Sequence, residues 1–304
     1  MIPIVVVAGA TASGKTALSV ELAKRLDGEI VSCDSMQIYK GMDIGTAKPT
    51  EAEKQGIPHH MIDILEPSES FSAAEFCAMA RRVIEDISGR GKLPVLVGGT
   101  GLYIDSLVDN IDFAEETDKS DIRDSLYALY EKEGGDALYE ILLKTDPEYA
   151  KIVHPNNVKR VIRAIEFYET TGMTVTEHNA LPKTPIYKDV YFCIDWDREV
   201  LYERINKRVD KMMEDGLLEE AKALYERYGR QDFTAFAGIG YKELFDFFEG
   251  KSTLSEAVDA IKQGTRRYAK RQLSWFRRNS RIRWLAPDDN LAENATDIIK
   301  STIL

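Results

Sequence analysis

The sequence predicts an α/β fold, a parallel-sheet core carrying a helical insertion, on three observations. Short apolar runs recur along the chain with helical patterns between them. The first run ends in a glycine-bracketed loop that opens directly into a helix. Residues 114 to 180, by contrast, are charged and helical in pattern, interrupted at Gly134-Gly135, Pro147 and Pro155.

The first strand is residues 4 to 8, a continuous apolar run of the kind buried on both faces. The next eight residues, Gly9, Ala10, Thr11, Ala12, Ser13, Gly14, Lys15 and Thr16, fit G-x-x-x-x-G-K-[ST], a cradle for a diphosphate or nucleotide. Gly9 and Gly14 allow backbone angles that a Cβ forbids, so N–H groups can converge on an anion. A helix over 16 to 26, with Leu18, Leu22 and Leu26 on one face, presents its N-terminus there. Lys15 is a mobile positive charge, and the Thr16 hydroxyl suits Mg²⁺. The core is therefore P-loop NTPase-like; most such loops serve kinases and NTPases.

Further strands are expected at 29 to 33, 61 to 65, 93 to 97 and 190 to 195. Asp34 and Ser35 fall where the second ends, at the sheet edge where ligands of open α/β sheets bind. A carboxylate there can reach Mg²⁺ through water, cap a helix or act as a general base. Residues 41 to 49, with Gly41, Gly45 and Thr46, read as a flexible segment beside it. After 93 to 97 comes Gly98-Gly99-Thr100-Gly101, either a phosphate or ribose site or a tight strand–helix corner. The insertion occupies 114–185, with 181 to 189 as the return linker, between core segments 1–113 and 186–304; after the last strand the chain reads as helical to about residue 280.

Three basic stretches stand out. Arg204, Arg208 and Lys211 share one helix face, and Lys159, Arg160 and Arg163 another, each either an anion clamp or a solvated face. Residues 262 to 283 hold nine of the 40 Lys and Arg and no Asp or Glu, leaving 31 basic residues against 51 acidic ones elsewhere. A net charge of −11 argues against a nucleic-acid protein, but this local concentration implies a dedicated polyanion patch. Tyr268, Trp275 and Phe276 lie among the charges and either stack on bases or pack as core.

Composition excludes other classes. The chain of 304 residues is 44% hydrophobic and has no apolar stretch approaching membrane-spanning length. No basic region precedes the first apolar run, so no leader is expected. Three separated cysteines and four unpatterned histidines suggest neither disulfides nor zinc, and a cytoplasmic location is expected. No symmetric apolar face appears, so a monomer is expected.

Taken together, GATASGKT (9–16), DSMQIYKGMDIGTAKP (34–49), VGGTGLYI (97–104), NVKRVIRAIE (157–166), RINKRVDKMMEDGL (204–217), GIGYKEL (238–244) and AKRQLSWFRR (269–278) resemble the tRNA dimethylallyltransferase (isopentenyltransferase) family, most closely its bacterial members. The family often has Pro where Ala10 stands, read here as a change at an unconstrained position. The resemblance implies transfer of a dimethylallyl group from dimethylallyl diphosphate to N6 of the adenosine just 3′ of the anticodon, in tRNAs reading codons that begin with U. The bond broken is C–O, so the loop would hold the leaving group. It further implies Asp34 as base, Thr11 at the bridging oxygen, Arg208 on the diphosphate and Mg²⁺ at Thr16. The tRNA anticodon stem-loop would meet Asp34, Ser35, Met36, Gln37, Thr100, Arg123, Lys159, Arg160, Val161, Ile162, Arg163, Ala237, Gly238, Ile239, Gly240, Tyr241 and Lys242. It would also meet Lys270, Arg271, Gln272, Leu273, Ser274, Trp275, Phe276 and Arg277. The alternatives are a P-loop small-molecule or nucleotide kinase, a prenyltransferase acting on free adenine nucleotides, and a non-catalytic RNA-binding switch.

Overall fold

The computed structural model describes residues 1–111, 120–182 and 184–304. They divide into two compact units, Met1–Ile111 with Pro185–Leu304, and Asp112–Thr184. The expected junction at 113 and 114 lies outside the described residues.

The first unit is a six-stranded parallel sheet in the order β3-β2-β4-β1-β5-β6. Its strands are β1 (Ile2–Ala8), β2 (Gly28–Ser32), β3 (His59–His60), β4 (Leu93–Gly98), β5 (Tyr187–Ile194) and β6 (Ile282–Leu285). Helices α1 (Lys15–Arg25), α2 (Glu51–Lys54), α3 (Ala73–Gly89) and α4 (Gly101–Val108) fill the first half. The second unit holds α5 (Ser120–Glu133), α6 (Gly135–Thr145), α7 (Pro147–Ala150), α8 (Val158–Thr171) and α9 (Val175–Ala180). Back in the first unit come α10 (Arg198–Glu214), α11 (Leu217–Tyr228), α12 (Tyr241–Phe248), α13 (Leu254–Phe276) and α14 (Leu291–Thr302).

Apolar patterning explains the layers. Val5 and Val7 of β1 pack with Leu18 and Leu22 of α1 and with Ala295 and Ile299 of α14 in one core. Ala80, Ile84 and Ile87 of α3 and Ile104 and Leu107 of α4 are fully buried, and Phe76 stacks on Tyr103 at 4.3 Å. A separate cluster joins Ile38, Tyr39 and Met42 to α11, α12 and the start of α13. The helical unit has its own core, in which Leu138 and Leu142 meet Val161, Ile162 and Ile165. Among the described residues, no helix is long and apolar enough to cross a membrane.

Two expectations of the strand pattern are corrected. The run at 61 to 65 is not a strand: Met61 and Asp63 have φ of 63° and 55°, which breaks extension. The pairing lies just before it, where His59 and His60 oppose Ile30 and Val31. The edge is fastened at Glu29 of β2, which accepts hydrogen bonds from Arg90 and pairs with His60 at 2.8 Å. The Arg90 bonds hold this buried carboxyl down to about 2. Strand β6, beyond the expected helical region, adds a short parallel edge beside β5.

Candidate active site

β1 delivers Gly9 to Thr16 to the sheet's C-terminal edge. Gly9 has φ +136°, and a Cβ there would meet Cys193 Sγ at 2.9 Å, so only glycine fits. Gly14, at φ +95°, opens α1. Ala10 and Ala12 are buried against Leu201 and Ile205 of α10 and Ala269 of α13. Position 10 is therefore constrained by packing, contrary to the reading of it as an open loop position.

Neighbouring side chains take up the loop's carbonyls. Arg204 Nε donates to Ala12 O at 2.9 Å and Trp196 Nε1 to Ser13 O at 2.8 Å; the Arg204 guanidinium also lies over the Trp196 ring. Lys15 Nζ donates to Ala10 O at 2.6 Å. The backbone N–H groups of residues 12 to 16 have no acceptor among the described residues, the arrangement expected of an anion cradle at a helix N-terminus.

Beside the loop lies a cavity of about 420 Å³. Thr11, Lys15 and Thr16 line it, with Arg208 of α10 and Asp34 beyond β2. Ile205, Val209, Met212, Ile239, Tyr241 and Ile261 supply an apolar wall. Burial, then the neighbouring Arg208, pushes the Lys15 ammonium down to about 8. Burial also lowers Arg208, which as a guanidinium stays charged. The basic face expected on this helix is split: Arg204 is spent on the loop, Arg208 lines the cavity, and exposed Lys211 pairs with Asp215 at 2.5 Å.

Asp34 reaches the site although β4 separates β2 from β1, because parallel strands end on one edge. Its Oδ1 accepts from the N–H of Met36 at 2.9 Å and of Gln37 at 3.4 Å, a capping geometry. Oδ2 accepts no hydrogen bond among the described residues. One oxygen thus fixes the turn while the carboxylate still lines the cavity. Thr100 Oγ1 accepts from Ser35 N at 3.0 Å and bonds its hydroxyl, locking the same corner.

The glycine-rich stretch after Asp34 is pinned rather than loose. Glu220 of α11 accepts from the N–H groups of Asp43 and Ile44 at 2.8 Å and of Gly45 at 3.0 Å, and from Tyr241 Oη at 2.7 Å. The Tyr241 ring occupies the space a Cβ on Gly45 would need. Gln37 Nε2 donates to the carbonyls of Thr46 and Ala47, tying this wall to the Asp34 turn. Glu220, Gln37's second role and cavity-lining His59 were not found by sequence reasoning; only Gly45 hinted at a close approach.

The remaining expected residues separate by exposure. Ser35, Met36, Gln37, Ala237, Gly238, Ile239, Gly240, Tyr241, Arg271 and Gln272 line the cavity. Along α13, Arg267, Lys270, Arg271, Ser274, Arg277 and Arg278 form one exposed stripe. Gln272 and Phe276 are buried, Leu273 is half-buried, and Trp275 Nε1 donates to Asp105 Oδ2 at 2.6 Å, so its polar edge is turned to the protein. In the helical unit Lys159 and Arg160 are exposed, whereas Val161 and Ile162 are core. Arg123 and Arg163 both pair with the buried Glu166, at 3.0 and 3.4 Å. Lys242 is exposed.

Comparison with known proteins identifies the family. The model described as IPP transferase matches residues 37–279. A tRNA dimethylallyltransferase of Bacillus subtilis is 52% identical over 283 residues, 93% of this chain and 90% of that protein. The crystal structure of a Bacillus halodurans tRNA isopentenylpyrophosphate transferase aligns with a TM-score of 0.76 at 45% identity, covering 100% of this chain and 97% of that one. A eukaryotic dimethylallyltransferase acting on tRNA aligns with a TM-score of 0.84 at 32% identity, covering 99% and 80%. A phosphate loop, a carboxylate and an apolar wall on one cavity, in a chain matched along almost its whole length, place this protein in the IPP transferase family.

Proposed function

We infer that this cavity transfers a dimethylallyl group from dimethylallyl diphosphate to N6 of the adenosine 3′ to the anticodon, in tRNAs reading codons that begin with U, and releases diphosphate. The observation that carries this reading is that the phosphate loop, Arg208, Asp34 and an apolar wall line one cavity. A kinase needs the loop but not an apolar wall opposite a carboxylate.

Allylic C–O cleavage puts positive charge on carbon and negative charge on the departing diphosphate. Donors already aimed at that negative charge lower the barrier without reorganising. Lys15, Arg208 and the free N–H groups of residues 12 to 16 take this role, with the Thr11 hydroxyl at the bridging oxygen. The apolar wall accommodates the five-carbon chain. The adenine amine is a weak nucleophile whose proton becomes acidic as N6 bonds to carbon, and Asp34 removes it.

The Thr16 hydroxyl suits Mg²⁺. No cluster of three or more His, Cys, Asp or Glu exists among the described residues. The ion would be held at the Thr16 hydroxyl, which lines the cavity. When bound, it neutralises charge on the diphosphate.

The target base leaves its stack to enter the cavity. Exposed Lys159 and Arg160, the α13 stripe and Lys242 hold the anticodon stem-loop backbone. Val161, Ile162 and Phe276 support those surfaces from within. The protein acts as a cytoplasmic monomer.

Incubation with unmodified tRNA, Mg²⁺ and labelled dimethylallyl diphosphate tests the reading, with ATP plus tRNA and labelled donor plus AMP as parallel controls. Label in an anticodon-loop adenosine is expected. Label on AMP alone would demote the basic surfaces, and ATP consumption without prenyl transfer would make the loop a kinase loop.

Two further outcomes follow. Replacing Lys270 with Gln should reduce the slope of log K for tRNA against log salt by about one, measured by filter binding. Burial holds the Lys15 ammonium down to about 8. It is charged below that pH, so the Michaelis constant for the donor should stay flat there and climb above it, approaching about tenfold per pH unit. Lys15→Arg should flatten that rise, because arginine does not titrate in this range.

A further inference from the structure

Helix α13 carries the basic stripe outward and one buried amide inward. Gln272 is 5% exposed. Its Oε1 accepts from the Thr11 N–H at 2.9 Å, and its Nε2 donates to the Gly99 carbonyl at 2.9 Å. The backbone partners settle the amide's orientation, since a flip would set donor against donor and acceptor against acceptor. Tyr268, one turn earlier, lines the same cavity as Gln272.

The glycines of the corner after β4 exist for this contact. A Cβ on Gly99 would sit 2.0 Å from Gln272 Nε2, and one on Gly101 would sit 2.3 Å from Trp275 Cδ1. The corner is thus a seat for α13, not a phosphate or ribose site. The seat brings Gln272 to the one loop residue whose hydroxyl is assigned to the bridging oxygen. Of the loop's N–H groups from Thr11 to Thr16, Thr11's is given to protein, while those of residues 12 to 16 have no acceptor among the described residues.

We propose that Gln272 is a positioning residue of the donor site, fixing the Thr11 backbone and through it the Thr11 hydroxyl, rather than a contact for tRNA. This rests on the assignment of Thr11 to the departing diphosphate. Gln272 spends both ends of its amide on loop and corner, so its effect on the reaction passes through Thr11. Loss of the amide leaves the Thr11 hydroxyl misplaced, and a misplacement of about 1 Å at a reacting group lowers rate by up to about a hundredfold.

The test compares full-length wild type with Gln272→Met and Gln272→Ala, alone and combined with Thr11→Ala. Readouts are kcat, the donor Michaelis constant, tRNA Kd with its salt dependence, and thermal midpoint. Methionine keeps the volume of the site and serves if alanine does not fold. The expected result is a fall in kcat over the donor Michaelis constant of about ten- to a hundredfold, with tRNA Kd and salt slope unchanged. In the Thr11→Ala background the same change should have little further effect, because the hydroxyl that Gln272 places through the backbone N–H is gone. Weakened tRNA binding with unchanged donor kinetics would overturn the proposal, as would losses that simply multiply. If wild type transfers no prenyl group to tRNA, the functional reading itself fails. If wild type is active and both Gln272 variants match it, only the role given to Gln272 fails.

Discussion

Asp34→Ala is expected to lower turnover by about 10²–10⁴-fold, the usual contribution of a positioned general base, while tRNA Kd barely changes. The structure gives Asp34 two jobs, and alanine removes both. Oδ1 holds the N–H groups of Met36 and Gln37, and the carboxylate lines the cavity shared with Lys15 and Arg208. Asp34→Asn separates them, since an amide oxygen can still accept the two backbone bonds but the side chain can no longer take a proton. Single-turnover rates with saturating tRNA and donor provide the measurement. If Asn is as impaired as Ala, proton removal dominates. If Asn turns over nearly as fast as wild type, Asp34 serves as a cap and the base lies elsewhere.

Lys15→Ala should cost about 10²–10³-fold in kcat, comparable to removing one preorganised donor from a developing anion, again with tRNA binding intact. The ammonium is already desolvated, which pushes it down to about 8 and makes its charge count for more than it would in water. One of its three N–H groups donates to Ala10 O at 2.6 Å, which leaves two for an anion. A donor carrying a better leaving group than diphosphate should lose less from the substitution. An equal loss for every leaving group would show that Lys15 holds the loop together rather than stabilising departing charge.

The parts of this site that could be read from sequence are those where chemistry dictates residue type over a short span. Gly9 and Gly14 stand where the backbone requires them, and Asp34 follows a strand that had to end at the ligand edge. In the second unit, Gly134-Gly135 and Pro147 punctuate α5, α6 and α7.

What was hidden depends on distance along the chain. The amide of Gln272 meets Thr11 across 261 residues and Glu220 meets Asp43 across 177, so no local pattern marks either. Composition showed that residues 262 to 283 were basic, but only helical phase separates exposed Lys270 and Arg271 from buried Gln272 and Phe276. The edge strands were the weakest signals. β3 has two residues, and the apolar run after it belongs to a turn with left-handed residues at Met61 and Asp63. β6, Ile-Arg-Trp-Leu, is too short and too charged to stand out.

On the proposed function, a loop of the kind found in kinases grips a leaving group, so that carbon–oxygen rather than phosphorus–oxygen bonds break. Dimethylallyl diphosphate with heavy oxygen at the bridge between the allylic carbon and phosphorus tests this directly. After turnover with tRNA, mass spectrometry of the products should find all the heavy oxygen in the released diphosphate and none in an alcohol or in the RNA. Heavy oxygen retained in dimethylallyl alcohol with diphosphate on the acceptor, or in dimethylallyl phosphate with a single phosphate on the acceptor, would contradict it.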